Sequence, residues 1–277
     1  MSRGRRWKAL ALAAFATTAL PAQSPDRFVA DARTATARYR DVDVARADGF
    51  RRVGVEFPHM GEHWVNLARV LGNRFSAAEP SILTYATVRG RRQLVGVAYT
   101  SLLRAGEQPP ASAAPASAWH EHNGSVDEES FPLHHAAGAP SNDPDPEALR
   151  LSVLHAWVWT PNPAGLFETG NADLPFVRLG FAPRAVTPAA LNGISLALDE
   201  SGYYALTLRT ALRPSDAERT ALERVVDAHH ARGAAQLART SRLDSIAPAA
   251  NWEALWTALE RELPGRAAEL RRLKRKL

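Results

Sequence analysis

The chain contains no cysteine, and this absence limits both how it can fold and which chemistry it can perform. Disulfides, zinc ribbons, iron–sulfur clusters, covalently attached c-type haem and thiol catalysis are all excluded. The fold must therefore be stabilised by a hydrophobic core rather than by cross-links. The 277 residues, 45% of them hydrophobic and 23% charged, are typical of a globular protein long enough to bury such a core.

The first 23 residues have the three-part pattern of a secretory signal peptide. A basic segment, residues 1–8, precedes the mostly apolar run 9–20, and small residues suited to cleavage follow it. A helix of this run would rise only about 18 Å, which is too short for the ~30 Å hydrocarbon core of a bilayer. We therefore predict a signal peptide over 1–23 and a bacterial protein exported to the periplasm or secreted.

The net charge of +5 is carried by the two ends of the chain. Residues 1–22 contribute +4 and residues 265–277 contribute +5, so the intervening body carries −4. A nucleic-acid-binding face requires basic residues clustered on the folded part, and we therefore exclude nucleic acid as a partner of the body.

The basic segment 265–277 has leucines at three- and four-residue spacing among its cations, which predicts an amphipathic helix. One hypothesis is a weak contact of this tail with an anionic membrane or a polymer of the cell envelope. The other is a solvated last helix whose cations favour its own C-terminal dipole.

Hydrophobic periodicity in the first half of the chain predicts two helices followed by strands. Helices are predicted from Ser24 to about residue 39 and over 41–48. A strand is predicted over 53–57, and a hairpin joins the β-branched runs 81–88 and 93–103.

The second half of the chain is predicted to contain strands and then helices. Residues 151–159 predict a buried strand, and the runs 194–198 and 203–208 predict a second hairpin. Helical patterns begin at Ser215 with a capping box and continue to the end. Strands first and helices last indicate an α+β fold with an antiparallel sheet built from hairpins, N-terminal helices and a helical C-terminal part.

We divide the chain into three segments on this basis. Residues 1–23 are the signal peptide, and residues 24–185 form an α+β core that carries the predicted site. Residues 186–277 contribute the second hairpin and the C-terminal helices, which pack on the core.

Histidines between residues 59 and 155 predict a metal site. Because the chain has no thiolate, a transition-metal site must use imidazole and carboxylate, which suits copper, iron or zinc. On an extended segment, His120 and His122 face the same side about 6.6–7 Å apart. His155 is a polar residue on an otherwise apolar strand face, where its ring needs a partner. We predict one mononuclear site formed by His63, His120, His122 and His155.

Two glutamates and several aromatic residues complete the predicted site. Glu128 and Glu62 are the candidate catalytic bases. A substrate pocket that can stack on a flat molecule is predicted from the tryptophans near the ligands and a following asparagine: Trp64, Trp119, Trp157, Trp159 and Asn162.

These residues fit three functions. The first is a copper-, iron- or zinc-dependent enzyme that acts on a small or aromatic substrate. The second is a non-catalytic periplasmic protein that binds a metal ion or a small molecule. The third is a structural domain whose histidines are simply packed. An open coordination position beside a carboxylate favours the enzyme, whereas a closed four-ligand shell favours binding.

A further alternative is a zinc hydrolase, because His59 to His63 matches the pattern H-x-x-E-H. That chemistry requires a helix, so that both histidines face one ion. Pro58 before the motif and Gly61 inside it disfavour a helix here.

Four segments resemble a family of uncharacterised exported bacterial proteins. They are Ala47 to Phe50, Met60 to Asn66, Leu94 to Tyr99 and Leu154 to Phe167. The family pattern is roughly A-D-G-Y, G-M-G-x-H-Y-V-N, L-V-G-V-E-Y and L-H-V-W-x-W-x-x-N-P-x-G-x-F, in this order. The resemblance spans residues 28 to about 180 and implies export, but the family supplies no assigned activity.

Two departures from the family pattern bear on the predicted site. The pattern often has glycine where His59 stands, which leaves His63 as the matched histidine. The glutamate of L-V-G-V-E-Y is Ala98 in this chain, so any role of that carboxylate is absent or moved.

We expect the exported protein to begin near Gln23 or Ser24, because the small residues that follow the apolar run suit a signal peptidase. N-terminal sequencing of protein recovered from the periplasm or the medium measures this directly. Recovery of exported protein that retains Met1 would contradict the prediction.

Overall fold

The computed structural model describes residues 24–122, 149–239 and 246–277. The predicted signal peptide, 1–23, and the candidate base Glu128 lie outside these residues. The described part contains nine α-helices and one curled six-stranded antiparallel sheet, which confirms the predicted α+β class. None of the helices in these ranges has the length and apolarity that a membrane span requires.

The N-terminal helices form where the sequence supplies caps. Helix α1 covers Pro25–Thr36, and the Ser24 side chain accepts a hydrogen bond from its first turn. A 3₁₀ turn, Ala37–Arg40, leads into α2, Val42–Ala47, which the Asp41 side chain caps. Both caps satisfy backbone N–H groups that have no partner inside the helix.

All six strands belong to one antiparallel sheet with the spatial order β1-β2-β3-β4-β6-β5. The predicted hairpin over 81–103 is confirmed as the pair β3–β4. A short helix, α3, covers Leu67–Gly72 between β2 and β3. The strands are β1 Arg51–Phe57, β2 Gly61–Val65, β3 Ile82–Val88, β4 Arg91–Leu103, β5 His120–His122 and β6 Arg150–Ala156.

The sheet has two chemically different faces because successive side chains alternate. We call one the α1 face, since Leu83, Tyr99 and Leu154 pack there with Phe28 of α1. The other, the histidine face, carries a small apolar cluster of Ile82, Ala98 and Val153 together with the histidines.

The predicted second hairpin over 194–198 and 203–208 is wrong, because both runs are helical. They belong to α5, Pro188–Ala197, and α6, Tyr203–Leu212. Thr187 caps α5, and the Asp199 carboxylate accepts hydrogen bonds from the first two backbone N–H groups of α6 at 2.7 and 2.9 Å. Short apolar runs of this kind are buried on several sides, so their periodicity does not distinguish helix from strand.

The remaining helices form a layer against one end of the sheet. One buried cluster contains Trp252 and Trp256 from the helices together with Phe57, Val95 and Trp157 from the sheet region. The C-terminal helices therefore share a core with the sheet. These helices are α4 Leu174–Leu179, α7 Asp216–Arg239, α8 Ile246–Glu262 and α9 Ala267–Lys274.

The basic tail is helical, and its apolar side is already used inside the protein. Leu270 and Leu273 of α9 are buried in the helical cluster. Arg271 pairs with Glu260, and Lys274 pairs with Glu253. Any contact of this tail with an anionic surface therefore has to use its remaining exposed cations, and it stays a prediction.

We expect Gly193→Ala to destabilise the protein because α5 and α8 meet at this glycine. A Cβ on Gly193 would overlap the carbonyl group of Pro248 and lie 3.0 Å from its Cα. Overpacking of this kind lowers the free energy of unfolding by about 1–3 kcal/mol, which urea denaturation measures.

The matched control is Gly72→Ala, where an added Cβ meets no atom within 4 Å. We expect this control to change the free energy of unfolding by less than about 1 kcal/mol. Equal stability of the two variants would contradict the close contact between the helices.

Candidate functional site

Three of the four predicted ligands come together on the histidine face. The rings of His63 and His155 have centroids 5.5 Å apart, and the rings of His120 and His155 have centroids 5.3 Å apart. His63 lies on β2, His120 on β5 and His155 on β6. We call these three side chains the imidazole cluster.

The curl of the sheet brings His63 and His155 together across two intervening strands. In a flat sheet, three strand spacings would separate their backbones by about 14 Å. The residues between them on this face are small: Thr84 pairs with His63 and with Gly96, and Ala98 pairs with His155. Small side chains leave room for the two rings to lean toward each other.

The imidazole of His63 is neutral at physiological pH. Burial lowers its pKa to about 4, and the nearby His120 acts in the same direction. His63 is 2% exposed and His155 is 3% exposed, and the ring of Phe57 packs edge-on against His63 at 5.1 Å. Neutral imidazole is the form that binds a metal ion, so no proton has to leave His63 before binding.

His120 stands at the edge of the cluster, next to a loop. Its Nδ1 lies 3.4 Å from the hydroxyl of Thr169. Its ring plane is within 17° of that of His155, and the two rings stack. Stacked rings present their faces to each other, so their nitrogens do not converge on one point as the side chains stand.

The structure does not contain a preformed metal cage in the ranges it describes. Among residues 24–122, 149–239 and 246–277, no three His, Asp or Glu side chains are arranged to hold an ion. The backbone of His122 lies in β5 beside Leu151, but its side chain is outside the described set, as is the whole of Glu128. The position of the predicted ligand His122 relative to the imidazole cluster, and that of the predicted base Glu128, therefore lie outside the described part of the chain.

Glu62, the other candidate base, does not join the imidazole cluster. It precedes His63 on β2, so its side chain points to the opposite face of the sheet. There its carboxylate accepts hydrogen bonds from Trp64 and Arg92 and pairs with Arg52 at 3.3 Å. Burial tends to raise the pKa of Glu62, but hydrogen bonds from Arg92 and Trp64 bring it below its usual value. A carboxylate held in this way is a poor proton acceptor, so its surroundings do not favour Glu62 as a base.

The H-x-x-E-H motif does not lie on the helix that zinc-hydrolase chemistry requires. Residues 58–60 form a turn, and residues 61–65 are strand β2. Gly61 has a φ of +86°, in the left-handed region that glycine adopts readily. His59 therefore sits in the turn and His63 in a strand, and the two do not face one ion from adjacent helical turns.

The predicted tryptophan pocket is not formed around the histidines. Three of the predicted tryptophans pack in or against the apolar cluster on the α1 face: Trp64, Trp119 and Trp159. This face is on the opposite side of the sheet from the imidazole cluster. Strand alternation explains this, because Trp64 and Trp119 each adjoin a histidine in sequence. The strand predicted over 151–159 ends at Ala156, so Trp159 no longer follows the alternation of β6.

Trp157 and Asn162 have other structural roles. The Trp157 ring lies 3.7 Å from the position of a Cβ on Gly96, so it borders the histidine face, and its Nε1 donates to Glu168 O. Asn162 holds the following loop, donating to Gly170 O and accepting from Ala164 N. Of the five predicted pocket residues, only Trp157 lies near the imidazole cluster.

Ala98 occupies an informative position. Its Cα is the direct partner of the Cα of His155 across β4 and β6. A longer side chain at this position would project on the histidine face, next to His155.

Sequence reasoning missed Phe57, Thr84, Gly96 and Thr169, which shape the surroundings of the imidazoles. No local pattern distinguishes these residues from ordinary strand or loop residues. The one sequence feature that points to these surroundings is the pair of small residues Gly96 and Ala98, which face the same side of β4. Their importance becomes clear only from the pairing of β4 with β6, which places them next to His155.

Comparison with known proteins returns no match to a protein-family model, to a curated protein or to a solved structure.

We expect His59 to make the stability of the protein depend on pH. Burial, followed by the positive charge of Arg178, lowers the pKa of His59 from 6.5 to about 4. Between these values the unfolded chain binds a proton that the folded protein does not. The free energy of unfolding therefore falls as the pH is lowered from about 6.5 to about 4, by up to ~3 kcal/mol for this group.

His59→Gln isolates this contribution, since glutamine does not titrate. The stability difference between the natural protein and the variant, measured by urea denaturation, should shift over this pH range and be constant above about pH 7. Parallel stability curves for the two proteins would contradict the buried neutral state of His59.

Proposed function

We propose that this chain is an exported protein that binds one transition-metal ion through His63, His120 and His155. The supporting observation is that three imidazoles, distant in sequence, gather on one face of the sheet with ring centroids 5.3 and 5.5 Å apart. Two imidazoles that share an ion have comparable spacing, because each metal–nitrogen bond is about 2.0–2.1 Å.

Binding requires the imidazole rings to turn, since His120 and His155 are stacked. A side chain about 30° off its preferred rotamer costs about 0.5–1.5 kcal/mol. Structural zinc binding supplies about 10–16 kcal/mol in small zinc domains. The reorganisation is therefore small beside the binding energy, and the stacked arrangement is compatible with an ion-free form.

The ligand set favours copper, iron or zinc. Neutral imidazoles suit these ions, whereas magnesium and calcium prefer oxygen ligands. His122 remains the predicted fourth ligand, because its backbone lies in the same short strand as His120.

Binding is better supported than catalysis. An enzyme of this kind needs a base within hydrogen-bonding reach of the reacting group. Glu62 faces the other side of the sheet and is engaged by arginines. Only Glu128 is left as a predicted base. We therefore place non-catalytic metal binding first and a metal-dependent enzyme acting on a small or aromatic substrate second.

We expect the purified protein, prepared without a histidine tag, to bind one Cu²⁺ or Zn²⁺ per chain. Copper titration followed by electron paramagnetic resonance should show hyperfine coupling to imidazole nitrogen. At a free-ion concentration of 100 times Kd, binding adds about 2.7 kcal/mol to the free energy of unfolding, which a thermal shift detects.

His155→Gln should weaken binding at least tenfold, about 1.4 kcal/mol. The matched control is His230→Gln. His230 lies on α7, where its Nδ1 is hydrogen-bonded to Leu196 O at 2.9 Å. We expect this substitution to leave metal binding unchanged. Circular dichroism confirms that both variants fold. The proposal fails if the natural protein binds no stoichiometric ion, or if His155→Gln binds as tightly as His230→Gln.

A further inference from the structure

Thr169 lies on the loop that follows β6, and side chains hold the backbone on both sides of it. The Nε1–H of Trp157 donates to Glu168 O at 2.6 Å, and the side-chain amide of Asn162 donates to Gly170 O at 2.9 Å. The residues before and after Thr169 are therefore both anchored, which gives the Thr169 side chain a defined starting point. Trp157 and Asn162, which the sequence suggested as pocket residues, act instead on the placement of Thr169.

The same loop is tied to the hairpin that carries His63. The backbone N–H of Asn171 donates to His59 O in the β1–β2 turn at 2.9 Å. The side chain of Asn171 is fully buried and donates to Pro161 O at 3.0 Å. The loop thus connects β6, which carries His155, with the turn that leads into β2.

The hydroxyl of Thr169 faces the third imidazole, with its oxygen 3.4 Å from Nδ1 of His120. A neutral imidazole carries a proton on one nitrogen and a lone pair on the other, whereas a threonine hydroxyl can donate or accept. The contact therefore fits two tautomers of His120. Only the tautomer with a proton on Nδ1 leaves the lone pair on Nε2, which is buried where the ring stacks on His155.

An ion bound in the imidazole cluster requires that tautomer, because the ion needs a lone pair and is repelled by an N–H. Histidines that bind a metal usually donate their second ring N–H to an oxygen acceptor, which fixes both the tautomer and the ring orientation. Coordination makes that N–H a stronger donor, so we expect the hydrogen bond, which is long in the ion-free arrangement, to shorten when an ion binds.

We propose that Thr169 is a positioning residue of the metal site: its hydroxyl accepts a hydrogen bond from Nδ1–H of His120, so that His120 binds the ion through Nε2. This inference rests on the metal binding proposed above. Thr169 itself does not touch the ion, and it acts only through the tautomer and the orientation of His120.

The first part of the test uses metal-free protein kept in a chelator. Long-range ¹H–¹⁵N NMR spectra show which nitrogen of His120 carries the proton. We expect the proton on Nδ1 in the natural protein and in Thr169→Ser, which keeps the hydroxyl. In Thr169→Val, which keeps the shape but lacks the acceptor, the proton should move toward Nε2. A threonine that only fills space would leave the tautomer unchanged in both variants.

The second part measures zinc binding by competition with a chelating indicator. Thr169→Val should weaken Zn²⁺ binding about 10–100-fold, the usual effect of losing the partner of a ligating histidine. Thr169→Ser should bind nearly as tightly as the natural protein. The matched control is Thr257→Val on α8, where the hydroxyl donates only to Glu253 O in the same helix, and it should bind normally. Circular dichroism verifies that all three variants fold.

Three results would overturn the inference: a proton on Nε2 of His120 in the metal-free natural protein, zinc bound through Nδ1 in spectra of the loaded protein, or equal zinc affinity of Thr169→Val and Thr257→Val. A natural protein that has the proton on Nδ1 but binds no zinc contradicts the proposed metal binding, and with it the positioning role, while the hydrogen bond between Thr169 and His120 stands. Failure of the proposed function and failure of this inference are thus distinguishable.

Discussion

The ring of Phe57 joins the three parts of the molecule on which the site depends. It ends β1, it is 1% exposed, and it belongs to the cluster that holds the C-terminal helices on the sheet. One side of the ring contacts His63, and another contacts Tyr203 of α6. In a chain without disulfides, such packing has to position the helices and the imidazoles together.

The sequence was informative about the fold where local chemistry decides structure. Ser24 and Asp41 cap helices through their own side chains, and the β-branched runs of β3 and β4 pair across a short turn. The sequence pattern over 194–208 predicted strands where the structure has helices, because the apolar residues there are buried on several sides. The decisive interaction there is the capping of α6 by Asp199, a residue that also suits a hairpin turn.

For the site, the sequence identified histidines that meet but misjudged what surrounds them. His63, His120 and His155 were chosen by residue type, and the curl of the sheet brings them together. Trp64 and Trp119 adjoin these histidines in sequence, and for that reason strand alternation places them on the other face. Neighbours across strands, such as Thr84 and Ala98, depend on the register of the sheet, which a single sequence does not specify.

Gly96 has a consequence for the recognition of similar sites in other chains. A Cβ at this position would lie 3.1 Å from the carbonyl oxygen of Ala156, and a larger side chain would extend toward the space into which His63 and His155 lean. A protein that keeps all three histidines but carries leucine or phenylalanine here would hold the rings apart. The diagnostic signature of this arrangement is therefore a strand with glycine and a second small residue two positions apart, a histidine on the next strand to one side and a histidine two strands away on the other. Counting histidines alone would miss it.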